Sequence, residues 1–374
     1  MKNITLILLA AGSSTRFGMG VKKQWLYQGD KPLWQKVADD YREAFGFAKI
    51  IVVGGAQEID YMRLFGDYTI VAGGNSRQQS LINALKETES RYVLVNDVAR
   101  CCIDEEMISR VVEHRLDGDC IVPVLGVHDT LYLGDEAVDR DIARLIQTPQ
   151  LTKTDTLRQA LSTKEEYTDE SSAVRAFGGK VVFVDGSVRA HKLTRLGDLH
   201  KLPCLSSPSS VTLVGYGIDI HPFEANKEMK LCGITIDSPF GFKAHSDGDV
   251  AIHAVIDAIM GAAGLGDIGE LFPDTDDAYA GADSSELLST VVTRVNSLGF
   301  EIRHIDMTIM AQAPKILPYK ARMREHMAHT IGLPMHRLNI KATTAEKLGF
   351  VGRKEGVTVH AVATLGYFDW TKGL

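Results

Sequence analysis

The order of apolar and helical segments predicts an α/β protein made of two domains. Two observations lead to this prediction. Short apolar runs alternate with helical patterns over the first two hundred residues, and the composition then changes at residues 203–210. A chain of 374 residues also has the size expected for two domains of roughly 100–200 residues each.

The N-terminal half is predicted to contain a mostly parallel sheet covered by helices on both faces. Its apolar runs have the length of buried strands, and helical patterns lie between several of them. Strand–helix–strand units of this kind place their strands parallel in one sheet. The predicted strands cover residues 4–9, 49–54, 68–71, 92–96, 120–124 and 181–184, and the predicted helices cover 33–45, 76–86 and 105–115.

The C-terminal half is predicted to be an α+β domain that begins after a linker. Residues 203–210 contain two prolines and four serines, a composition typical of linkers. We therefore expect one domain over residues 1–202 and a second over 211–374. The predicted strands of the second domain cover 211–220, 302–311, 337–342 and 357–367, with a short apolar segment at 230–236, and its helices cover 247–264, 284–297 and 316–331.

Composition and charge exclude several classes of protein. The net charge of −7 provides no basic field for nucleic acid. No apolar run reaches eighteen residues, so no transmembrane helix is expected. Five cysteines without CxxC spacing are typical of a reducing compartment, here the cytoplasm, and argue against a disulfide framework or a cysteine-based zinc site. The apolar run at residues 4–11 also has the length of a secretory leader, but the loop after it favours a strand.

The loop after the first predicted strand has the composition of a phosphate-binding loop. Its small side chains let backbone N–H groups approach a phosphate closely. Arg16 and Lys23 add positive charge, which favours a triphosphate ligand over the alternative of a plain strand-to-helix turn. Neither GxxxxGK[ST] nor GxGxxG is present, so the loop is neither a P-loop nor a dinucleotide-binding loop.

Two further loops follow predicted strands, and ligands of such sheets bind at the carboxyl ends of the strands. The segment from Gly73 to Ser80 opens a helix, where Ser76 is a candidate N-cap. It either binds a ligand or only caps the helix. Asp97 ends the strand over 92–96 and is a candidate Mg²⁺ ligand, because Mg²⁺ binds carboxylate together with substrate phosphate oxygens. The alternative is that Asp97 caps the next turn.

The motifs AAGSSTRFG…KKQ, GGNSRQQS, NDVAR, HDT, VDR…QTPQ, TDESSA and HKLTR occur in this order in the N-terminal half. Over residues 1–202 the sequence resembles the 2-C-methyl-D-erythritol 4-phosphate cytidylyltransferases. The resemblance implies a Rossmann-like nucleotidyltransferase domain that transfers CMP from CTP to methylerythritol phosphate and releases pyrophosphate. Two departures, Lys22 in place of proline and Cys101 in place of proline, remove no functional group.

The resemblance also implies roles for individual residues, including an Mg²⁺ or Mn²⁺ ligand at Asp97. The residues implied to hold cytidine are Ala10, Ala11, Gly12, Gly73, Gly74 and Ser80. The residues implied to hold the phosphates and to act in catalysis are Arg16, Lys23 and Lys192. The further substrate-binding residues are Arg77, Arg100, Thr130, Arg140 and Thr168, of which Arg140 would reach the site from a dimer partner.

The C-terminal half contains a candidate zinc set. Asp219 and His221 are two positions apart on a predicted strand, so their side chains share a face. His253 lies on a predicted helix. Two imidazoles and one carboxylate form a three-ligand zinc set with an open fourth position. Sequence distance does not show that the three converge, and a structural role for His253 stays open at this point.

The segments GYGIDIH, AHSDGDVAIHAVIDAIMGAAGLGDIGELFPDT, ADSSELL, AQAPK and KATTAEKLGFVGRKEG resemble 2-C-methyl-D-erythritol 2,4-cyclodiphosphate synthases from about residue 211 to 366. The resemblance implies zinc at Asp219, His221 and His253, and Mg²⁺ or Mn²⁺ at Glu346. The residues implied to contact the methylerythritol moiety or its loop are His245, Ser246, Asp257, Asp267, Gly269 and Asp274. The residues implied around cytidine are Ala311, Pro314, Lys315, Ala342, Thr343, Thr344, Phe350 and Arg353. Within these sets, His245, Asp257 and Thr344 are the implied catalytic residues.

Together the two resemblances imply one bifunctional enzyme, a nucleotidyltransferase and a phosphorus–oxygen lyase, of the non-mevalonate isoprenoid pathway. The second reaction would cyclise 4-CDP-2-C-methyl-D-erythritol 2-phosphate and release CMP. The expected partners are small-molecule substrates and further copies of the chain, through a dimeric N-terminal and a trimeric C-terminal domain. The alternatives are that one half is a different nucleotidyltransferase or a non-catalytic oligomerisation scaffold.

Overall fold

The computed structural model of the protein describes residues 1–163, 165–244, 246–273, 275 and 281–373. It divides into two compact units, one of Met1–Pro208 with Asp369–Leu374 and one of Ser209–Phe368. The division differs from the predicted boundaries at both ends. Residues 203–208 belong to the first unit, where the Ser206 N–H donates to Gln28 Oε1 at 2.6 Å and the Gly29 N–H donates to the Ser207 carbonyl at 3.0 Å. The final residues also return to this unit, because they bury a tryptophan there.

The first unit is built on an eight-stranded sheet with helices around it, as the alternating pattern predicted. The central strands β1 (Ile4–Leu9), β4 (Lys49–Gly54), β5 (Thr69–Ala72) and β6 (Tyr92–Asp97) are parallel, and β1 lies between β4 and β6. The helices of this unit are α1 (Leu33–Ala44), α2 (Ile59–Arg63), α3 (Arg77–Lys86), α4 (Glu105–Glu113), α5 (Thr154–Ala160) and α6 (Glu170–Ala176).

The other edge of the sheet contains the two predicted strands at residues 120–124 and 181–184, together with short strands that the sequence pattern did not predict. β11 (Gln150–Lys153) runs antiparallel between β6 and β7 (Cys120–Gly126), and β10 (Arg144–Ile146) pairs antiparallel with β7. β12 (Val181–Asp185) is parallel to β7. The remaining short strands are β2 (Tyr27–Gln28), β3 (Lys31–Pro32), β8 (Leu131–Leu133) and β9 (Glu136–Val138). Runs of only three or four residues are too short for hydrophobic alternation to reveal them.

The cysteines contradict the sequence-based expectation. Cys102 and Cys204 form a disulfide, although the odd number of cysteines and their spacing predicted none. The two residues are 102 positions apart in sequence, so no local spacing pattern marks the pair. Cys101, Cys120 and Cys232 are free and buried. The disulfide attaches the stretch around Cys204 to the first unit, which is one reason why this stretch is not a free linker.

The second unit is an α+β structure with a five-stranded sheet in the order β16–β13–β19–β17–β18. Its strands are β13 (Leu213–Ala225), β14 (Met229–Leu231), β15 (Ile234–Ile236), β16 (Phe240–Phe242), β17 (Phe300–Met310), β18 (Leu338–Thr343) and β19 (Gly356–Tyr367). Its helices are α7 (Val250–Ala263), α8 (Ile268–Leu271), α9 (Ser284–Ser297), α10 (Lys320–Ile331) and α11 (Gly349–Gly352). In the described part of the chain, no helix is both long and apolar enough to cross a membrane.

Two glycines of β13 allow helix α7 to pack directly against this strand. A Cβ atom placed on Gly215 would lie 2.0 Å from the Ala258 carbonyl oxygen, and one on Gly217 would lie 2.0 Å from that of Ala254. A side chain at either position would therefore push the helix away from the strand. This close approach places His253 of α7 beside the part of β13 that follows Gly217.

The burial of the C-terminal segment in the first unit leads to a testable prediction. Trp370 is buried, and its indole N–H donates to the Tyr27 carbonyl at 3.0 Å. We expect Trp370→Ala to lower the free energy of unfolding of this unit by about 3 kcal/mol, because a large aromatic side chain leaves a cavity. Urea unfolding followed by tryptophan fluorescence measures this unit specifically, because the remaining tryptophans Trp25 and Trp34 also belong to it.

The matched control for this experiment is Lys372→Ala, in the same terminal segment. The Lys372 side chain is 76% exposed, so its truncation should leave the unfolding midpoint within the error of the measurement. Equal midpoints for the Trp370 variant and the wild-type protein would show that the terminal segment contributes nothing to this unit.

Candidate active sites

A cleft of about 440 Å³ opens at the carboxyl ends of the parallel strands in the first unit. It begins where β1 and β6 end, as expected for a sheet of this kind. Gly73 does not line the described cleft, and a Cβ atom placed on it would lie 2.6 Å from the Ala11 Cβ. The predicted residues that line the cleft are Ala10, Ala11, Gly12, Arg16, Lys23, Gly74, Arg77, Ser80, Asp97 and Lys192.

The loop after β1 is held open by hydrogen bonds to its own backbone and side chains. Gln24 Nε2 donates to the Gly12 carbonyl at 3.0 Å, and the Lys23 N–H donates to Ser14 Oγ at 2.9 Å. Ser14 itself has a φ of 60°, in the left-handed region. Because these bonds fix the loop before any ligand arrives, binding costs little ordering of the chain.

Three cationic side chains face the same cleft. Lys23 Nζ donates to the Leu193 carbonyl at 3.0 Å. Burial lowers the pKa of Lys23, and the positive charges of Lys192 and Arg16 lower it further. A lysine whose pKa is lowered by neighbouring cations marks a region of positive potential, and an incoming polyphosphate would relieve this repulsion.

Asp97 is the carboxylate at the floor of this cleft, and both of its oxygens are bound by cations. Lys192 Nζ donates to Oδ2 at 2.5 Å, and Arg77 Nε donates to Oδ1 at 3.2 Å. Burial alone would raise the pKa of Asp97, but Arg77 and Lys192 outweigh it and lower the pKa to about 2. Asp97 is therefore ionised at neutral pH. An ionised carboxylate beside a phosphate-binding loop suits Mg²⁺, which takes its other ligands from substrate phosphates and water.

Sequence reasoning missed one residue of this network, Glu170. Its carboxylate is fully buried at the start of α6 and accepts from Arg77 Nη1 at 2.7 Å and from Nη2 at 3.4 Å. Arg77 therefore bridges a carboxylate at the end of β6 and one at the start of α6. The position of Glu170 inside the TDESSA motif was the available signal, but nothing in the sequence indicated its partner.

Other predicted residues of the first unit do not line the cleft. Arg100 donates instead to the carbonyls of Ala190 at 2.6 Å and Ile146 at 3.2 Å, so its guanidinium supports the neighbouring backbone. Thr130 and Thr168 are exposed. Arg140 is also exposed and donates to the His128 carbonyl at 2.5 Å. None of these four appears among the residues that line the described cleft.

In the second unit, Asp219, His221 and His253 converge as the resemblance implied. One potential ligand atom from each of the three lies within 4.8 Å of the others. Asp219 Oδ2 is 3.1 Å from Nδ1 of both histidines. Burial would raise the pKa of Asp219, but the two imidazoles outweigh it and hold the pKa well below its usual range.

The donor atoms of this cluster fit a metal ion. His221 Nδ1 is buried and makes no hydrogen bond in the described structure. Ser284 Oγ donates to Asp247 Oδ1 at 2.5 Å, so it is free to accept from His253 Nε2 at 3.0 Å. With Nε2 bonded to Ser284, loss of the proton from Nδ1 would leave a lone pair for a metal ion beside Asp219 Oδ2, which lies 3.1 Å away. Asp247 and Ser284 act on His253, and sequence reasoning did not identify them.

Several predicted residues lie near this cluster. Ser246 Oγ is 3.4 Å from His253 Nε2. Asp257 lies on α7 and accepts from the Ile268 N–H at 2.9 Å, and Asp267 caps α8, the short helix that contains Gly269. Helix α7 thus connects the cluster of Asp219, His221 and His253 with the segment at residues 267–269. Two predicted residues, His245 and Asp274, lie outside the described residues.

The residues implied around cytidine lie at neighbouring strand ends. The Ala311 N–H, just after β17, donates to the carbonyl of Thr343 at the end of β18. Thr344 Oγ1 donates to Glu346 Oε1 at 2.8 Å, and Glu346 has a left-handed φ of 47°. Ala342 belongs to the same strand end, and Pro314 and Lys315 follow Ala311 in sequence. Phe350 is 36% exposed on α11, and Arg353 forms a double hydrogen bond with Glu355.

Comparisons with known proteins agree with this two-site architecture. A family model described as 2-C-methyl-D-erythritol 4-phosphate cytidylyltransferase matches residues 4–203, and the YgbB family model matches residues 212–366. The chain is 58% identical over 370 residues to the bifunctional enzyme IspD/IspF of Sulfurovum sp. (strain NBC37-1), which covers 99% of both chains. The chain belongs to the bifunctional IspD/IspF family. It is 53% identical over 372 residues to the Sulfurimonas denitrificans member, covering 100% of this chain and 96% of that one.

A solved structure supports the fold of the whole IspD/IspF chain. The bifunctional IspDF from Campylobacter jejuni superposes with a TM-score of 0.92 at 46% identity, covering 99% of this chain and 100% of that one. The predicted two-part α/β fold is confirmed. The protein is an enzyme of isoprenoid biosynthesis with CTP-dependent cytidylyltransferase and cyclodiphosphate synthase activities. These matches support neither a different nucleotidyltransferase nor a non-catalytic scaffold.

Proposed function

We propose that the cleft of the first unit binds CTP and transfers its CMP group to 2-C-methyl-D-erythritol 4-phosphate. The observation that supports this most directly is the presence of Arg16, Lys23, Lys192 and Asp97 around one cleft. We propose that Ala10, Ala11, Gly12, Gly73, Gly74 and Ser80 hold the cytidine part of the nucleotide. Asp97 would hold Mg²⁺ or Mn²⁺, which would supply positive charge to neutralise the phosphates.

The side chains of the cleft act chiefly by position and charge. The acceptor phosphate is already anionic, so its attack on the α-phosphorus requires no general base. Lys23, Arg16 and Lys192 stabilise the charge that builds on the α-phosphate and on departing pyrophosphate. Since the loop that contains Lys23 is fixed before binding, these groups do not have to reorganise during the reaction.

We propose that Thr130, Arg140 and Thr168 bind the acceptor phosphate once a second copy of the chain completes the site. All three are exposed and lie outside the described cleft. The hairpin of β8 and β9 beside them exposes Tyr132 and Leu133, which fits burial in an assembly. We propose dimer contacts through this unit and trimer contacts through the second unit. Arg100 serves this site indirectly, by supporting the Ala190 backbone two residues before Lys192.

In the second unit we propose a zinc ion held by Asp219, His221 and His253. Zinc would act as a Lewis acid on the diphosphate of 4-CDP-2-C-methyl-D-erythritol 2-phosphate. The protein folds this single molecule so that its 2-phosphate reaches the β-phosphorus, and CMP leaves. Asp257, Ser246, Asp267 and Gly269, with His245 and Asp274, position the methylerythritol moiety.

The cytidine part of that substrate is proposed to bind at the ends of β17 and β18. The residues of this pocket are Ala311, Pro314, Lys315, Ala342, Thr343, Thr344, Phe350 and Arg353. Glu346 is proposed to hold Mg²⁺ or Mn²⁺ against the diphosphate. The Thr344 hydroxyl donates a hydrogen bond to the Glu346 carboxylate and fixes its orientation. The backbone of Glu346 lies in the left-handed region, which is uncommon for a residue other than glycine.

Two assays test this proposal on the intact protein. CTP, Mg²⁺ and methylerythritol 4-phosphate should give the CDP-alcohol and pyrophosphate, and the 2-phosphorylated CDP-alcohol should give the cyclic diphosphate and CMP. Replacing CTP by ATP, GTP or UTP tests nucleotide choice in the first assay. Strong activity with another nucleotide or a different sugar phosphate would contradict the proposed substrates.

We propose a cytoplasmic location, because CTP is a metabolite of that compartment. Cell fractionation followed by detection of the protein in each fraction tests this. Recovery with the cytosolic fraction is expected, and recovery from another compartment would contradict the location.

A further inference from the structure

Glu170 occupies an unusual position for a carboxylate. It is 0% exposed at the start of α6, and the described structure pairs it with Arg77. Burial raises the pKa of Glu170, and the Arg77 guanidinium opposes this effect. A buried carboxylate is costly unless a partner compensates it, so Arg77 must stay beside it for this part of the fold to be stable.

Arg77 is shared between two carboxylates. Its Nη1 binds Glu170 Oε1 at 2.7 Å, whereas Nε and Nη2 each lie 3.2 Å from Asp97 Oδ1. The shorter contact is therefore with Glu170. Together with Lys192, the four groups Arg77, Lys192, Asp97 and Glu170 carry two positive and two negative charges, and their sum is zero. Without the charge of Glu170 the sum would be +1, and the two cations would face Asp97 alone.

We propose that Glu170 is a positioning residue for cytidylyl transfer, which holds Arg77 and offsets its charge so that Asp97 can accept a divalent cation together with the nucleotide. The inference rests on the proposed role of Asp97 as a metal ligand. It also connects two parts of the site, because Glu170 lies two residues after Thr168 and Arg77 begins the helix that follows the Gly73–Gly74 turn.

The decisive variant is Glu170→Gln, which keeps the shape of the side chain and removes its charge. We expect the Mg²⁺ concentration for half-maximal cytidylyl transfer to rise about tenfold. The direction follows from Coulomb's law, because removing a negative charge near a bound divalent cation weakens the attraction that holds the cation. CTP affinity measured by calorimetry in EDTA should stay equal or become tighter, because the cleft gains net positive charge. If Glu170 had only a structural role, its loss would weaken CTP binding as well as the response to Mg²⁺.

Two further variants keep the test informative if Glu170→Gln is unstable. Glu170→Asp retains the charge, so its Mg²⁺ dependence should stay within about threefold of wild type even where its melting temperature falls. In the double variant R77Q/E170Q the net charge returns to zero, and the Mg²⁺ dependence should return towards wild type although turnover falls. Asp60→Asn is the matched control, because it removes a carboxylate from an exposed arginine pair, that with Arg63.

The outcomes separate this inference from the proposal on which it depends. Asp97→Asn should abolish the dependence on added Mg²⁺ or shift it strongly. If it does so while Glu170→Gln stays within twofold of wild type, Glu170 has no positioning role. If neither variant changes the Mg²⁺ dependence, Asp97 is not the metal ligand and the proposed metal site itself is wrong.

Discussion

Alanine at His221 or His253 is expected to remove zinc from the protein and to abolish cyclisation, while cytidylyl transfer continues at the wild-type rate. Each imidazole supplies one of three protein ligands, and its Nδ1 lies 3.1 Å from the Asp219 carboxylate oxygen. A site reduced to two ligands loses both affinity and tetrahedral geometry. Metal analysis of the purified variants, together with separate assays of both reactions, measures the effect.

A graded series strengthens this prediction. Ser284→Ala removes the acceptor for His253 Nε2–H without removing a ligand, and outer-shell changes of this kind typically weaken metal affinity by about 10–100-fold. Zinc titration against a chelator should therefore rank wild type above Ser284→Ala, and Ser284→Ala above His253→Ala. The control is His336→Ala, because His336 is an exposed histidine of the same unit. Full zinc occupancy in the His221 and His253 variants would falsify the zinc assignment.

The sequence predicted the elements that have strong periodic signals. The helix of residues 284–297 and the strands at 4–9 and 49–54 agree with the structure to the residue, because long apolar runs and helical stripes are fixed by local burial. The antiparallel strands β10 and β11 were missed. Their identity as strands depends on pairing with β7 and β6, which is information from distant parts of the chain.

The candidate sites also depend on contacts between distant parts of the chain, which sequence patterns do not reveal. Spacing placed Asp219 and His221 on one face of a strand, but only the packing of α7 against Gly215 and Gly217 brings His253 to them. Likewise, Lys192 and Asp97 are 95 positions apart, and Glu170 and Arg77 are 93 apart. The motif resemblance supplied candidates for most of these residues. Glu170 and Ser284 could not be found in this way, because their roles consist of contacts with other side chains.

In the first unit, Lys23→Ala and Arg16→Ala are each expected to lower the turnover of cytidylyl transfer by about 10²–10³-fold. Each change removes one preorganised cation from a cleft where negative charge accumulates during the reaction, an effect of about 2.7–4 kcal/mol on the activation free energy. The Lys23 ammonium is held by the Leu193 carbonyl and lies near Lys192 and Arg16, so it is in place before the nucleotide arrives. Steady-state kinetics with saturating CTP, Mg²⁺ and acceptor measures turnover apart from binding.

The second active site provides an internal control for this experiment, because cyclisation by the same preparations should be unchanged. Lys31→Ala is the matched variant, since Lys31 is an exposed lysine of the same unit that pairs with Asp39 at 2.7 Å and lies outside the described cleft. An increase in the KM for CTP with unchanged turnover would show that Lys23 binds the ground state and the transition state equally. Turnover near that of wild type in both cleft variants would mean that charge stabilisation at the α-phosphate comes from other groups, and the proposed roles of Lys23 and Arg16 would have to be abandoned.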